Sequence, residues 1–138
     1  ACCDSQGGQK WIRIIEAAEE EVHFTSSPIF VGDKIIVSWG CLIALDANDG
    51  RTLWKAADAK SSYTTPLIEG KFVYVIDIKA REMELPAKAE KGMALKELWV
   101  TSLSGEFIAS PIYKDGLIYT IETKHSRLHT IDAKPINS

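Results

Sequence analysis

Apolar residues in this chain fall in short runs rich in Ile, Val, Tyr and Thr, and Gly cuts most of them before a helical period can develop. Such runs, bounded by Gly, Pro, Asn and Asp, predict β-strands joined by tight turns. The clearest set predicts four strands, near Ser26 to Val31, Lys34 to Trp39, Cys41 to Asp46 and Thr52 to Ala56. Between the last two, Asn48-Asp49-Gly50 reads as a turn, in which Gly50 can take a positive φ and the Asp46 side chain can bond the amides ahead of it.

The pattern repeats. Ser26-Ser27-Pro28-Ile29, Thr64-Thr65-Pro66-Leu67 and Ala109-Ser110-Pro111-Ile112 are each followed by a Gly (Gly32, Gly70, Gly116) and then a β-rich run. The seventh and eighth positions after the prolines are Ile35-Ile36, Val73-Tyr74 and Ile118-Tyr119. Trp11, Trp54 and Trp99 recur at a similar spacing, and a period of about 40 to 45 residues with several short strands per unit is that of a propeller blade. The expected fold is therefore all-β, a partial β-propeller of about three four-stranded antiparallel blades. The units are residues 25–58, 63–102 and 106–134, preceded by an isolated last (D) strand at 9–15.

Two units depart from the plan. In the last, Arg127 to Asp132 aligns with Cys41 to Asp46, and Lys134-Pro135 follows where the turn should continue, so this blade is expected to lack its own D strand. Gly7 precedes Trp11 as Gly50 precedes Trp54, which makes Gln9 to Ile15 a D strand without A, B or C, and the two ends look complementary. In the middle unit the charged stretch from Lys79 reads as a degenerate C strand near Met83 to Ala87 plus a lengthened loop. That 79–97 insertion is a candidate binding loop.

Composition narrows the function. With 138 residues, the chain is about one domain. Its 16 Lys and Arg against 19 Asp and Glu offer no basic excess, so nucleic acid is not an expected partner. No apolar run approaches the roughly 18 residues of a membrane span. The sequence itself reads without a signal peptide, and its opening, Ala1-Cys2-Cys3, fits a mature or cut product whose targeting segment is gone. Cys2, Cys3 and Cys41 match neither an even disulfide framework nor a zinc spacing, and Cys41 reads as a small buried hydrophobe.

Taken together, Ser/Thr-Ser/Thr-Pro, the following Gly, Leu-x-Ala-Leu-Asp (Leu42 to Asp46), Gly50 and Trp54 resemble the pyrroloquinoline-quinone-type β-propeller repeat. The resemblance implies a structural role between blades for Trp11, Trp54 and Trp99, with Asp46 and Gly50 forming the turn. It also implies an extracytoplasmic, periplasmic or cell-envelope location. The family includes non-catalytic scaffold propellers, such as the lipoprotein of the outer-membrane barrel-assembly machinery, and quinoprotein alcohol dehydrogenases, which hold the quinone (PQQ) and calcium. On the scaffold reading no cofactor is expected. On the enzyme reading, Cys2 and Cys3 in "ACCD" resemble the adjacent cysteines that form a disulfide ring against the quinone. A free-thiol terminus and a lipid-anchored cysteine are the other readings of the pair.

Other chemistry is sparse. His125 and His129, four residues apart on an extended segment, lie about 13 Å apart and cannot share a metal. His23 follows the acidic run Glu19 to Glu21, which reads as a solvated loop. Tyr63 and Trp39 are the candidates for a carbohydrate-binding or sensor surface, each with a packing role as the alternative.

Three blades alone cannot close a ring, and their end faces need cover. The expected function is a scaffold or protein-interaction module whose missing blades come from a longer polypeptide, another subunit or a second copy. In the last case, Gln9 to Ile15 of one copy completes the last blade of the other.

Overall fold

A computed structural model describes residues 1–15, 26–59, 63–87 and 94–133. Every regular element among them is a strand: β1 (Cys2–Cys3), β2 (Gln9–Trp11), β3 (Ile29–Val31), β4 (Lys34–Ser38), β5 (Leu42–Asp46), β6 (Thr52–Ala56), β7 (Leu67–Glu69), β8 (Phe72–Ile76), β9 (Lys79–Glu84), β10 (Lys96–Ser102), β11 (Ile112–Lys114), β12 (Leu117–Glu122) and β13 (Arg127–Asp132). They form antiparallel sheets ordered β1-β2, β3-β4-β5-β6, β7-β8-β9-β10 and β11-β12-β13. The fold is a partial propeller with a leading two-stranded hairpin and three successive blades.

Register follows the pleat. Ile36 pairs with Ala44, which pairs with Trp54, so these three side chains share one face of the first blade. That face packs on the second blade, where Ile36, Leu42, Ala44, Trp54 and Ala56 form one buried cluster with Val73, Val75, Met83 and Leu95. Tyr74, Ile76 and Ala80 repeat the arrangement against Phe107, Ile118 and Ala133 of the third blade. Cys41, Ile43 and Leu45, on the other face of the first blade, pack with Trp11 and Ile15 of the leading segment. The core is thus a series of interblade layers. Each layer is stabilised by burial of apolar surface at about 25 cal/mol per Å².

Two expectations are corrected. The leading D strand is shorter than 9–15, covering Gln9–Trp11, and it is not isolated: Cys2 pairs with Trp11 and Cys3 with Gln9, so β1 is the C strand of a half blade. In the middle unit the C strand is Lys79–Glu84, ahead of the expected Met83 to Ala87, and pairs on both sides with β8 and β10. Its charged side chains are placed by the pleat. Ala80 and Glu82 turn inward, and buried Glu82 accepts a 3.1 Å hydrogen bond from the Tyr74 hydroxyl. Of the long loop, residues 88–93 lie outside the described residues, as do the acidic run, His23, Lys134 and Pro135.

Candidate functional site

The residues singled out in the sequence meet at blade-to-blade junctions. In the first blade, the Asp46 carboxylate accepts the Asn48 N–H at 2.8 Å and the Asp46 carbonyl accepts the Gly50 N–H at 2.9 Å. That Asn48 amide chiefly, helped by Arg51 nearby, holds the Asp46 carboxyl below the usual range. Gly50 takes φ +72° and is buried, because the indole of Trp11 from the leading half blade lies over it. Trp11 Nε1 also donates to the Ala47 carbonyl at 3.1 Å. Each of these three tryptophans, Trp11, Trp54 and Trp99, thus belongs to a last strand and reaches the blade that follows: Trp11 the first, Trp54 the Leu95 side of the second, and Trp99 the Ala133 side of the third.

A second series of contacts escaped the sequence reading, although its motif was noticed there. The Ser27 N–H donates to Thr65 Oγ1 at 2.9 Å, and the Thr65 N–H donates to Ser110 Oγ at 3.2 Å. These residues immediately precede the three repeated prolines. One position earlier, the Ser26 hydroxyl donates to the Ser38 carbonyl and that of Thr64 to the Ile76 carbonyl, tying the start of the first and second blades to the end of their second strands. Ala109 occupies the same place in the third blade and has no hydroxyl to offer.

The leading turn was expected, but the part that Asp4 plays in it was missed. Asp4 repeats the role of Asp46 in a turn one residue shorter, its carboxylate accepting the Gln6 N–H at 2.9 Å and the Gly8 N–H at 2.8 Å. Cys2 and Cys3 are therefore the end of a C strand. As successive strand residues they point to opposite sides, one half-buried and one exposed, and both are free thiols. That arrangement does not fit the closed ring of a quinone-flanking disulfide. Among the described residues no three His, Cys, Asp or Glu side chains converge.

The histidines serve separate neighbours. His125 Nδ1 lies 3.0 Å from a carboxylate oxygen of Glu122, a side chain only 1% exposed, which also accepts the backbone N–H groups of Lys124 and His125. Burial works against ionisation of Glu122, but the bonds from the His125 ring and from these amides outweigh it and hold the carboxyl below its ordinary range. His129 packs edge-on against Phe107 at 5.3 Å. Trp39 is half-buried against the Cys41 layer, and Tyr63 is exposed.

Comparison with known proteins agrees with this architecture. The family model for outer membrane protein assembly factor BamB matches residues 2–90. No curated protein matches the chain. Among solved structures, BamB from Moraxella catarrhalis superposes with a TM-score of 0.63 at 22% identity over 92% of this chain and 37% of that one. The quinohemoprotein alcohol dehydrogenase ADHIIG from Pseudomonas putida HK5 superposes with a TM-score of 0.65 at 15% identity over 86% of this chain and 20% of that one. Identities this low make both likenesses ones of fold, and the chain spans little more than a third of the BamB structure. With the family model covering well over half of the chain, and Trp, Asp-turn and Ser/Thr-Pro contacts recurring from blade to blade, this chain belongs to the BamB-like family of quinoprotein-type propeller repeats.

Proposed function

We propose that this chain is a non-catalytic interaction scaffold of the bacterial cell envelope, contributing three blades and a half blade to a larger propeller that takes part in outer-membrane protein assembly. The observation that carries this reading is how the repeated residues are used. Trp11, Trp54, Trp99 and the hydroxyls of Thr65 and Ser110 all hold one blade against the next, and Asp46 shapes the turn on which Trp11 rests. The family match supports the assembly role and the extracytoplasmic location. The strand placement of Cys2 and Cys3 favours the scaffold over a dehydrogenase fragment.

The test has two arms. With a photo-cross-linking residue at exposed Leu128 and the chain held in the periplasm of an outer-membrane-bearing bacterium, adducts with outer-membrane assembly proteins are expected. The purified chain, titrated with pyrroloquinoline quinone and calcium, is expected to show no saturable change in quinone absorbance. Saturable binding that disappears in Cys2→Ser or Cys3→Ser would overturn the scaffold reading in favour of the enzyme.

A further inference from the structure

One register row of the second blade places a buried carboxylate among aromatic rings. Tyr74 of β8 pairs with Glu82 of β9, which pairs with Trp99 of β10, so the three side chains share the face that packs on the third blade. Tyr74 is 3% exposed and Glu82 4%. The Tyr74 hydroxyl donates to a Glu82 carboxylate oxygen at 3.1 Å. Its ring stacks on Tyr113 of the third blade, with centroids 5.8 Å apart and planes inclined by 15°, and meets the Trp99 indole at 6.5 Å.

Packing between blades does not require this carboxylate, since the first blade builds the same row from Ile36, Ala44 and Trp54. Glu82 has no ion-pair partner among the described residues. Arg81, its neighbour on β9, faces the other side of the sheet and donates to the Asp58 carbonyl. An ionised carboxylate held out of water without a counter-charge is costly, and a proton relieves the cost. The proton within reach is that of the Tyr74 hydroxyl. Burial, and then the bond to Glu82 and its charge, hold that hydroxyl protonated, so the phenol gives up its proton only if an electron leaves with it. Trp99 differs in this respect. Its indole N–H is buried with no acceptor among the described residues, so a Trp99 ring that loses an electron keeps its proton and remains a strongly oxidising cation beside Tyr74.

We propose that Tyr74 and Glu82 form a one-electron redox site, which collects oxidising equivalents arriving at the half-buried rings of Trp99 and Tyr113. The oxidant is a free radical in solution, which takes one electron and becomes its anion. That electron comes from Tyr74, directly or by way of Trp99. The hydroxyl proton crosses the hydrogen bond to Glu82. Radical, phenol and carboxylate thus become anion, phenoxyl radical and carboxylic acid, with atoms and charge conserved. The buried pair goes from one negative charge to none, so the same burial that penalises the carboxylate favours the oxidised state. The site is independent of the scaffold role, since neither needs the other.

The probe is the azidyl radical, generated by pulse radiolysis in a solution of the 138-residue chain and reduced to azide as it reacts. The expected result is a tryptophan-radical absorption that decays while a phenoxyl absorption rises, at a rate independent of protein concentration and slower in heavy water. Tyr74→Phe should lose that rise. Glu82→Gln should lose it as well, because the amide still accepts a hydrogen bond but is too weak a base to take the proton. Both substitutions keep the shape of the side chain, and thermal melts check that the variants fold. The proposal is overturned by a phenoxyl rise that survives Tyr74→Phe, which would place the radical on another tyrosine, or by one undiminished in Glu82→Gln. A rise equally fast in heavy water also overturns it, and that measurement on the parent chain decides the matter if a variant fails to fold.

Discussion

The indole of Trp11 lies so close over Gly50 that a Cβ built on the glycine would stand 2.5 Å from ring atom Cε3. A tryptophan of one blade has thereby fixed the residue type in the next, through two independent demands: space, and the +72° φ that side chains resist. Gly50→Ala is expected to cost about 2 to 4 kcal/mol in urea unfolding, from backbone strain and overpacking together. In a Trp11→Ala background the overpacking part should vanish, so the double-mutant cycle should show coupling of about 1 kcal/mol or more. Additive effects would mean that the ring does not rest on Gly50.

Trp54 fills the layer between the first and second blades and is 3% exposed. Trp54→Ala should destabilise by about 3 to 5 kcal/mol through the cavity it leaves. A loss below about 1 kcal/mol would remove Trp54 from the interblade core and weaken the propeller architecture.

Thr65 is both acceptor and donor in the series that joins Ser27 to Ser110, and only its hydroxyl can be removed by substitution. Thr65→Val is expected to cost about 0.5 to 1.5 kcal/mol, one net hydrogen bond. Amide hydrogen exchange should locate the effect, with Ser27 N–H exchanging faster while the β4-β5 amides keep their protection.

Acid should loosen the third blade at Glu122. The folded Glu122 carboxyl lies below its unfolded value of about 4.3. Its stabilising contribution is thus complete above that value and is lost as pH falls through the lower folded value. Glu122→Gln should flatten the fall in urea midpoint below about pH 4.5 relative to the parent chain. An unchanged acid limb would assign that fall to the other depressed carboxyls, Asp33, Asp46 and Glu84.

Thiol labelling separates the readings of the cysteines. Cys3 is exposed and should react within minutes at pH 8, whereas Cys41, buried and with its thiol pushed up by that burial, should react only on unfolding. A chain in which neither Cys2 nor Cys3 labels before reduction would carry the vicinal disulfide instead.

Most of the architecture was legible because it recurs. The strands of the first blade stand within a few residues of their expected places, and the tryptophan spacing located the junctions between blades. What stayed hidden depended on partners distant in sequence. Strand β1 is only two residues long, too short for alternation to register, and Asp4 makes its turn one residue tighter than Asp46 does. Strand β9 looks helical or loop-like in composition, because nothing in the sequence tells that Glu82 will be buried against the hydroxyl of Tyr74. The Ser/Thr before each proline was visible as a motif, but its function is a bond to another blade, and spacing alone does not reveal bonds of that kind.

The Ser27, Thr65 and Ser110 contacts all point the same way, amide of the earlier blade to hydroxyl of the later one. The array consequently has a polarity, like a row of hooks each catching the next eye. Tandem duplication of a unit would preserve every hook and eye, whereas inversion of a unit would break two at once. Growth by copying was open to the ancestor of such a chain at any length, and the number of blades is left to be set by the angle between neighbours rather than by their chemistry.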